Sequence, residues 1–522
     1  MDVLIKHCLL LYPDNIHGNK IPELLEQWLI QLNEEQVTKA RGYTLFFTII
    51  NPSQLTEQSY SHLKSFVKWV SIKPDPWFHD SNQDQHGGCY NKTLIMSYQW
   101  FFNLVMELNY YHTIITDLKD YVPDIIFSCN VQTCNVAYKI QQYYNNSIQK
   151  YIPWVYLCWY SYGKWYQDLV QIFSSYTISS HTHSYSQSQS QLQQLQQPQP
   201  QQQQPDLVTF LIDKEQKAYL NANMVVCLSN WYTRYFQQQR HIYTIPFGLN
   251  IELFDNITVI PRNNLPGWRN YKILYIGSFT LHKGVHFLNE YSIPDNCDMI
   301  FMCDTQNIHD PYMMNVMKQL PQDRFHFIGH KHSTVRYQYI KSVDLCIFPS
   351  IIEMFNVHVL ETQLCKTPLM YAAIEGLGNM CVGYPLQWQS KNLLQINEYL
   401  NQKLKYFFDT YNHDLNKIER IGLCNQAYEY VKENFSSQIV TQEYNHMFQS
   451  LIPQPLPHTS LSLSSQEETK KIETTVVLPE SNKKRKKNPS ILTLTSVPVP
   501  VPVPVTTIPS TNKNKNKNKN KK

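Results

Sequence analysis

Two stretches decide the fold: YKILYIGSFTLHKG at 271–284 and VDLCIFPSIIEMFNVHVLETQLCKTP at 343–368. Each opens with a short, nearly all-apolar run, which is typical of a strand covered on both faces. A polar turn follows, and then a segment with helical character. A strand, turn and helix repeated in this way predict right-handed crossovers and a parallel sheet.

Similar apolar runs recur along the chain in two series. The first series comprises 3–12, 43–50, 123–130, 154–160 and 224–230. The second comprises 271–277, 298–304, 324–330, 343–350 and 368–373. We therefore predict an α/β protein with two doubly wound, Rossmann-like parallel sheets, and we expect its ligand in the cleft between them.

The segment HIYTIPFGLNIELFD at 241–255 separates the two series. The predicted domains are thus 1–240 and 241–452, the second ending in two helical segments. The Ser- and Gln-rich stretch 174–205 cannot bury a core, so we predict a disordered insertion within the first domain. The basic, low-complexity stretch 453–522 is predicted to be a disordered tail.

Charge and cysteine content narrow the function. The 522 residues carry a net formal charge of +4, but residues 456–522 hold 13 Lys or Arg and four Glu, so the first 455 residues sum to about −5. Nucleic-acid binding, which needs a basic surface, is expected at most through the tail. Its KKRKK run at 483–487 is typical of either a nuclear localisation signal or a solvated tail.

Twelve cysteines without a CxxC pair indicate reduced thiols and no zinc site. The sequence has no run of 18 apolar residues and no pattern typical of a signal peptide, so we expect a cytoplasmic protein without a transmembrane segment. No Asp-x-Asp triplet occurs, and we predict neither a metal site nor a cofactor.

The chemistry is expected around two glutamates and one lysine. Glu353 follows a predicted strand, and Glu361 comes eight residues later in the following helix, whose N-terminus suits an anionic ligand. The carboxylates could bind the hydroxyls of a ribose and a sugar. Equally, one could cap the helix and the other be solvated. Lys283 could neutralise a diphosphate, or be an exposed lysine at a helix start.

The order of several segments resembles the glycosyltransferase 4 family, which are retaining, nucleotide-sugar-dependent enzymes of GT-B architecture. The segments are CLSNWYTRYF (227–236), IPFGLNIELF (245–254), IGSFTLHKG (276–284), FHFIGH (325–330), VDLCIFPSIIEMFNVHVLE (343–361) and KTP (366–368). The resemblance covers about 220–380 and continues through the closing helices. Before 220 it rests on pattern alone, with Gly18 where the family often has a glycine-rich turn.

The resemblance implies that Lys283 contacts the donor diphosphate, Glu361 the ribose and Glu353 the donor sugar. Lys283 and Glu353 would be the catalytic residues. Other donor-site positions that it implies are Gly277, Ser278, Phe355, Asn356 and Val357 near sugar and phosphate, and Gly329 and His330 near the base.

The chain also departs from the family. Ser278 replaces an arginine, Lys366 replaces a glycine, and the histidine of the first domain is missing near Trp159 or Tyr160. Asn356 replaces a glycine too, which we expect to be mild because Asn tolerates left-handed backbone.

Two further features could contribute to the site. His17 could face the cleft and serve the acceptor, or simply be exposed. The aromatic cluster at 154–166 could stack on a sugar or pack in the core.

The favoured function is transfer of a hexose from a nucleotide diphosphate sugar to an unidentified hydroxyl acceptor, retaining and without metal. The alternative is a catalytically degenerate GT-B protein that binds or regulates. A third possibility is nucleic-acid binding through the tail.

Overall fold

The computed structural model describes residues 4–12, 23–34, 38, 41, 43–51, 57–71, 121–159, 207–235, 241–306, 308, 310–387 and 392–451. Residues 1–455 form one compact unit, and all elements given below belong to it. The predicted insertion at 174–205 and the tail at 453–522 lie outside the described residues.

The first sheet has seven parallel strands in the order β3-β2-β1-β4-β5-β6-β7. They are β1 (Leu4–Leu11), β2 (Tyr43–Asn51), β3 (Val67–Ser71), β4 (Ile125–Cys129), β5 (Trp154–Cys158), β6 (Met224–Cys227) and β7 (Ile242–Thr244). Every residue of the central strands β4 and β5 is buried, as their apolar sequences require.

The helices of this part are α1 (Glu23–Leu32), α2 (Cys134–Ser147), α3 (Leu207–Asn221) and α4 (Asn230–Tyr235). Helix α1 buries Leu25, Trp28, Leu29 and Leu32, which recur at helical spacing. The Trp28 ring packs 5.5 Å from the ring of Phe47, so α1 is fixed against β2.

The second sheet has six parallel strands in the order β10-β9-β8-β11-β12-β13. They are β8 (Tyr271–Ile276), β9 (Cys297–Met302), β10 (Phe325–Phe327), β11 (Leu345–Phe348), β12 (Leu369–Ala372) and β13 (Tyr384–Leu386). Its helices are α5 (Pro311–Gln319), α6 (Ser333–Ser342), α7 (Val357–Leu364) and α8 (Glu375–Gly378). The predicted pair of doubly wound parallel sheets is therefore confirmed.

Three helices close the unit: α9 (Leu393–Asp409), α10 (Asp414–Phe435) and α11 (Ser437–Leu451). Helix α11 returns to the first sheet. Its Tyr444 ring lies 5.9 Å from the Trp28 ring, and Gln31 Nε2 donates to the carbonyl of Ser437 over 2.7 Å. The core of the first domain thus includes the end of the described chain.

Some elements differ from the sequence-based expectation. Strand β7 pairs with β6, so the first sheet extends past residue 240, and α11 packs against α1 of the first domain as well as against α10. Lys283 is followed by a second 3-10 turn, Val285–Phe287, where we expected a helix. Apolar runs of three to five residues carry little periodicity, which is why β3, β7 and β13 were not predicted.

Candidate functional site

A cavity of about 630 Å³ opens at the carboxyl ends of strands in both sheets. In the second sheet it lies beyond β8 and β11, the neighbouring strands at which the chain order reverses. Open α/β sheets bind their ligands at this kind of switch point. The lining residues are Tyr12, Leu25, Gln27, Asn130, Trp159, Leu228, Phe247, Ile276, Gly277, Ser278, Lys283, His330, Arg336, Glu353, Met354, Phe355, Asn356, Val357, His358 and Glu361.

Lys283 is positioned by backbone contacts between two loops. It ends the 3-10 turn Leu281–Lys283, and Gly284 follows with a left-handed backbone at φ 67°. A Cβ at Gly284 would lie 2.0 Å from the carbonyl oxygen of Pro349, so only glycine permits this approach. The carbonyl of His282 also accepts from the backbone N–H of Ile351 over 2.8 Å. The lysine is therefore held beside the loop that follows β11.

Glu353 collects three hydrogen bonds on one oxygen. Its Oε2 accepts from Lys283 Nζ over 2.5 Å, from Asn356 Nδ2 over 3.1 Å and from Ser350 Oγ over 3.2 Å. The side chain is only 7% exposed, and that of Lys283 is 18% exposed. The interpretation of a solvated carboxylate and a freely exposed lysine is therefore wrong for this pair.

Asn356 caps α7, the role that the sequence left open for a glutamate. Its side chain accepts from the backbone N–H of His358 over 3.0 Å. Its backbone is extended, with φ −136°, so the expected left-handed conformation is not adopted. With its bonds to His358 and Glu353, the Asn356 side chain makes two hydrogen bonds that a glycine could not make. Lys366, the other residue that replaces a glycine, does take a left-handed backbone at φ 56°.

Glu361 is buried in a charged cluster. Arg336 on α6 donates from Nε to Oε2 over 2.9 Å and from Nη2 to Oε1 over 2.7 Å. His358 Nδ1 lies 2.8 Å from Oε2. Burial on its own would raise the pKa of Glu361, but His358 and Arg336 outweigh it and hold the pKa below its ordinary value. The carboxylate is thus ionised at neutral pH.

The other predicted donor-site residues are distributed as follows. Gly277, Ser278, Phe355, Val357 and His330 line the cavity. Gly329, directly before His330, has a left-handed backbone at φ 66° and is not among the lining residues. Gly18 and His17 lie outside the described residues.

The wall contributed by the first domain is largely apolar. Trp159 directly follows β5 and lines the cavity, with its ring 4.9 Å from that of Phe247. Phe247 in turn lies 5.9 Å from Phe355 in the loop of the second domain. Trp154 is a core residue whose Nε1 donates to Ser128 Oγ, and 160–166 fall outside the described residues. Among the described lining residues, this wall has no histidine.

Arg336, His358 and Phe247 are cavity residues that the sequence analysis missed. Lys283 is the cation that the sequence analysis placed at the site, and Arg336 is a second one. A signal for it exists: Arg336 and Ile340 are four residues apart on α6 and both are buried. An arginine on the apolar face of a helix requires a buried carboxylate as partner.

In the described ranges, no group of three or more His, Cys, Asp or Glu side chains has a geometry that could hold a metal ion. No helix in these ranges combines the length and the hydrophobicity needed to cross a membrane.

Comparison with solved structures returns proteins of the same architecture. Sucrose-phosphate synthase from Thermosynechococcus elongatus aligns with a TM-score of 0.58 and 15% identity, over 85% of this chain and 99% of that chain. HepE of Anabaena in complex with UDP and glucose aligns with a TM-score of 0.54 and 13% identity, over 85% of this chain and 100% of that chain. A glycosyltransferase from Rickettsia africae aligns with a TM-score of 0.51 and 16% identity, over 85% of this chain and 98% of that chain.

No protein-family model matches the chain, and no curated protein matches its sequence. At these identities the structural likeness shows the fold: the chain has the GT-B fold, in which two Rossmann-like domains face a cleft. Since one fold supports many activities, the function must be argued from the cavity itself.

Proposed function

We propose that this protein is a glycosyltransferase of the glycosyltransferase 4 type, which transfers a hexose from a nucleotide diphosphate sugar to a hydroxyl acceptor, with retention and without a metal ion. The observation that carries the proposal is the convergence of Lys283, Glu353 and Glu361 on one cavity at the switch point of the second sheet. Composition and fold alone would not distinguish this activity from others.

Lys283 is assigned to the diphosphate. An ammonium group has three N–H donors, and Glu353 accepts from one of them. The remaining two can donate to phosphate oxygens. As the bond between sugar and diphosphate breaks, negative charge grows on the leaving group, and a lysine already held in place stabilises it without reorganisation.

Glu353 is assigned to the donor sugar. Its three hydrogen bonds all reach Oε2, so Oε1 is the oxygen that we expect to accept from a sugar hydroxyl. A charged acceptor makes this bond stronger than a neutral one. Glu353 would fix the orientation of the sugar relative to the phosphate bound by Lys283.

The ligands bound in one structural neighbour suggest the first donors to test. HepE has been solved with UDP and glucose, and also with UDP-glucose. We would test a panel of nucleotide sugars as donors. UDP-sugars come first because this neighbour shares the fold, and GDP-, ADP- and CDP-sugars follow.

The test is turnover by the purified chain. We expect release of the nucleoside diphosphate from at least one nucleotide sugar, a rate lowered at least tenfold in Glu353→Gln, and retention when the anomeric proton of the product is followed by NMR. Saturable binding without release would favour the degenerate, binding or regulatory GT-B protein. If no nucleotide sugar of the panel is bound and none releases its nucleoside diphosphate, the proposal is contradicted.

A further inference from the structure

Glu361 has little capacity left for a ligand. An ionised carboxylate offers about four lone-pair positions on its two oxygens. Arg336 takes one on each oxygen and His358 a second one on Oε2. The remaining position lies on Oε1, so Glu361 can accept from one further hydroxyl but not from two.

The hydrogen bond to Glu361 also fixes the tautomer of His358. An ionised carboxylate only accepts hydrogen bonds, so the proton of the neutral imidazole is on Nδ1. Nε2 is then an acceptor. The His358 side chain is 21% exposed and lines the cavity, whereas those of Arg336 and Glu361 are 4% and 2% exposed. Of the three groups, the imidazole is the one most open to a ligand.

We propose that Glu361 and His358 divide the two ribose hydroxyls of the nucleotide between them, Glu361 Oε1 accepting from one hydroxyl and His358 Nε2 from the other. Arg336 is a positioning residue, because its two parallel N–H donors hold the carboxylate in one orientation. This inference rests on the proposed function, since it requires a nucleotide in this cavity.

The chemistry of a ribose matches this division. Its two neighbouring hydroxyls both donate, and a single acceptor with one free position satisfies only one of them. A hydroxyl left without a partner on binding loses its hydrogen bond to water. An imidazole acceptor beside the carboxylate removes this cost and makes His358 a residue that distinguishes ribose from deoxyribose.

The experiment removes one ribose hydroxyl at a time from the ligand and compares the loss of affinity in the wild-type protein and in its variants. The dissociation constants of UDP, GDP, ADP and CDP are measured at pH 8 by isothermal titration, and the tightest ligand is compared with its 2′-deoxy and 3′-deoxy forms. In the wild-type protein, we expect one deoxy form to bind about three- to tenfold more weakly, through His358, and the other about tenfold or more, through Glu361. In His358→Phe, the first of these losses should disappear while the second remains.

His358→Gln is the conservative variant, because its amide can donate to Glu361 and also accept, and it should restore part of the lost discrimination. His358→Ala serves as the second variant if the phenylalanine does not fold. Arg336→Met should reduce the discrimination through Glu361. If His358→Phe and His358→Ala weaken all three ligands by one common factor, the imidazole is only structural and the inference is wrong. If no nucleotide binds the wild-type protein, the proposed function fails as well.

Discussion

Lys283 Nζ lies 2.5 Å from Glu353 Oε2, so the cation assigned to the diphosphate and the carboxylate assigned to the sugar form one ion pair. Their sequence separation of 70 residues is bridged by the loops after β8 and β11. A donor would therefore extend this pair at both ends, meeting groups whose orientation is already fixed.

The first prediction concerns the stability of this pair. Lys283→Ala leaves the largely buried Glu353 without its cation, so we expect a loss of roughly 1–3 kcal/mol in the free energy of unfolding. The double variant Lys283→Ala/Glu353→Gln also removes the negative charge of Glu353, which has no cationic partner in Lys283→Ala. It should therefore recover part of the lost stability. Urea unfolding of both variants is the measurement. A double variant that is less stable than Lys283→Ala would show that the pair does not behave as a coupled unit.

The second prediction concerns Asn356, which caps α7 and also donates to Glu353. Asn356→Ala should cost about 1–2 kcal/mol in stability and weaken donor binding several-fold. Asn392 is the matched control, because it caps α9 through the backbone N–H of Leu394 and does not line the cavity. Asn392→Ala should lower the melting temperature without changing donor affinity. Equal affinity losses in the two variants would contradict the assignment.

The third prediction concerns a close backbone approach beneath the Glu353 loop. A Cβ at Gly376 would lie 1.5 Å from the carbonyl oxygen of Glu353, whereas a Cβ at Gly378, in the same short helix, meets nothing within 4 Å. Gly376→Ala should therefore destabilise by about 1–3 kcal/mol and displace Glu353, lowering donor affinity. Gly378→Ala should leave both unchanged or be slightly stabilising. Thermal unfolding, for stability, and isothermal titration with the donor, for affinity, test this prediction on both variants.

The fourth prediction is a pH dependence. The pKa of Glu361 is lowered in the folded protein from an ordinary value of 4.5, because His358 and Arg336 outweigh the effect of burial. Its stabilising contribution is thus fully present above about pH 4.5 and is lost as the pH falls through the lower, folded pKa. Glu361→Gln should be less stable than wild type by roughly 3–5 kcal/mol at pH 7, since Arg336 loses its partner.

The difference in unfolding free energy between wild type and Glu361→Gln should not narrow between pH 7 and about pH 5 and should narrow below pH 4.5. Glu419→Gln, at an exposed position on α10, is the control for loss of a carboxylate outside the cluster, and its free energy of unfolding at pH 7 should stay close to that of the wild-type protein. A difference that narrows already between pH 7 and pH 5 would mean that the carboxylate is not held by this cluster.

Much of the fold was predictable because apolar runs such as 3–12 and 271–277 are long enough to be identified as strands from their own residues. Covered parallel strands need apolar residues on both faces, and the sequence shows this directly. The return of α11 to the first sheet was not predictable, because it depends on contacts such as Tyr444 with Trp28 across more than four hundred residues. No local pattern encodes such a pairing.

The site was predictable where the loop and the helix start lie in one stretch, as for Glu353 and Glu361. The pairing of these carboxylates with Lys283 and Arg336 was not predictable. Arg336 precedes Glu361 by 25 residues and belongs to another helix, so only the packing of α6 against α7 brings them together. Asn356 is the instructive case: judged as a substitute for glycine, it was expected to tolerate a backbone that it does not adopt.

The most direct test of the central claim is the affinity of Lys283→Ala for the nucleotide sugar that the turnover panel selects. Loss of a charge-assisted contact of about 1.5–3 kcal/mol should weaken binding roughly tenfold to a hundredfold. The matched control is Lys318→Ala, an exposed lysine on α5 outside the cavity, which should bind like the wild-type protein. Isothermal titration well below the melting temperature of each variant is the measurement. The predicted result is weakened binding in Lys283→Ala alone. Unchanged affinity in folded Lys283→Ala would contradict the claim that the donor diphosphate binds at this cavity.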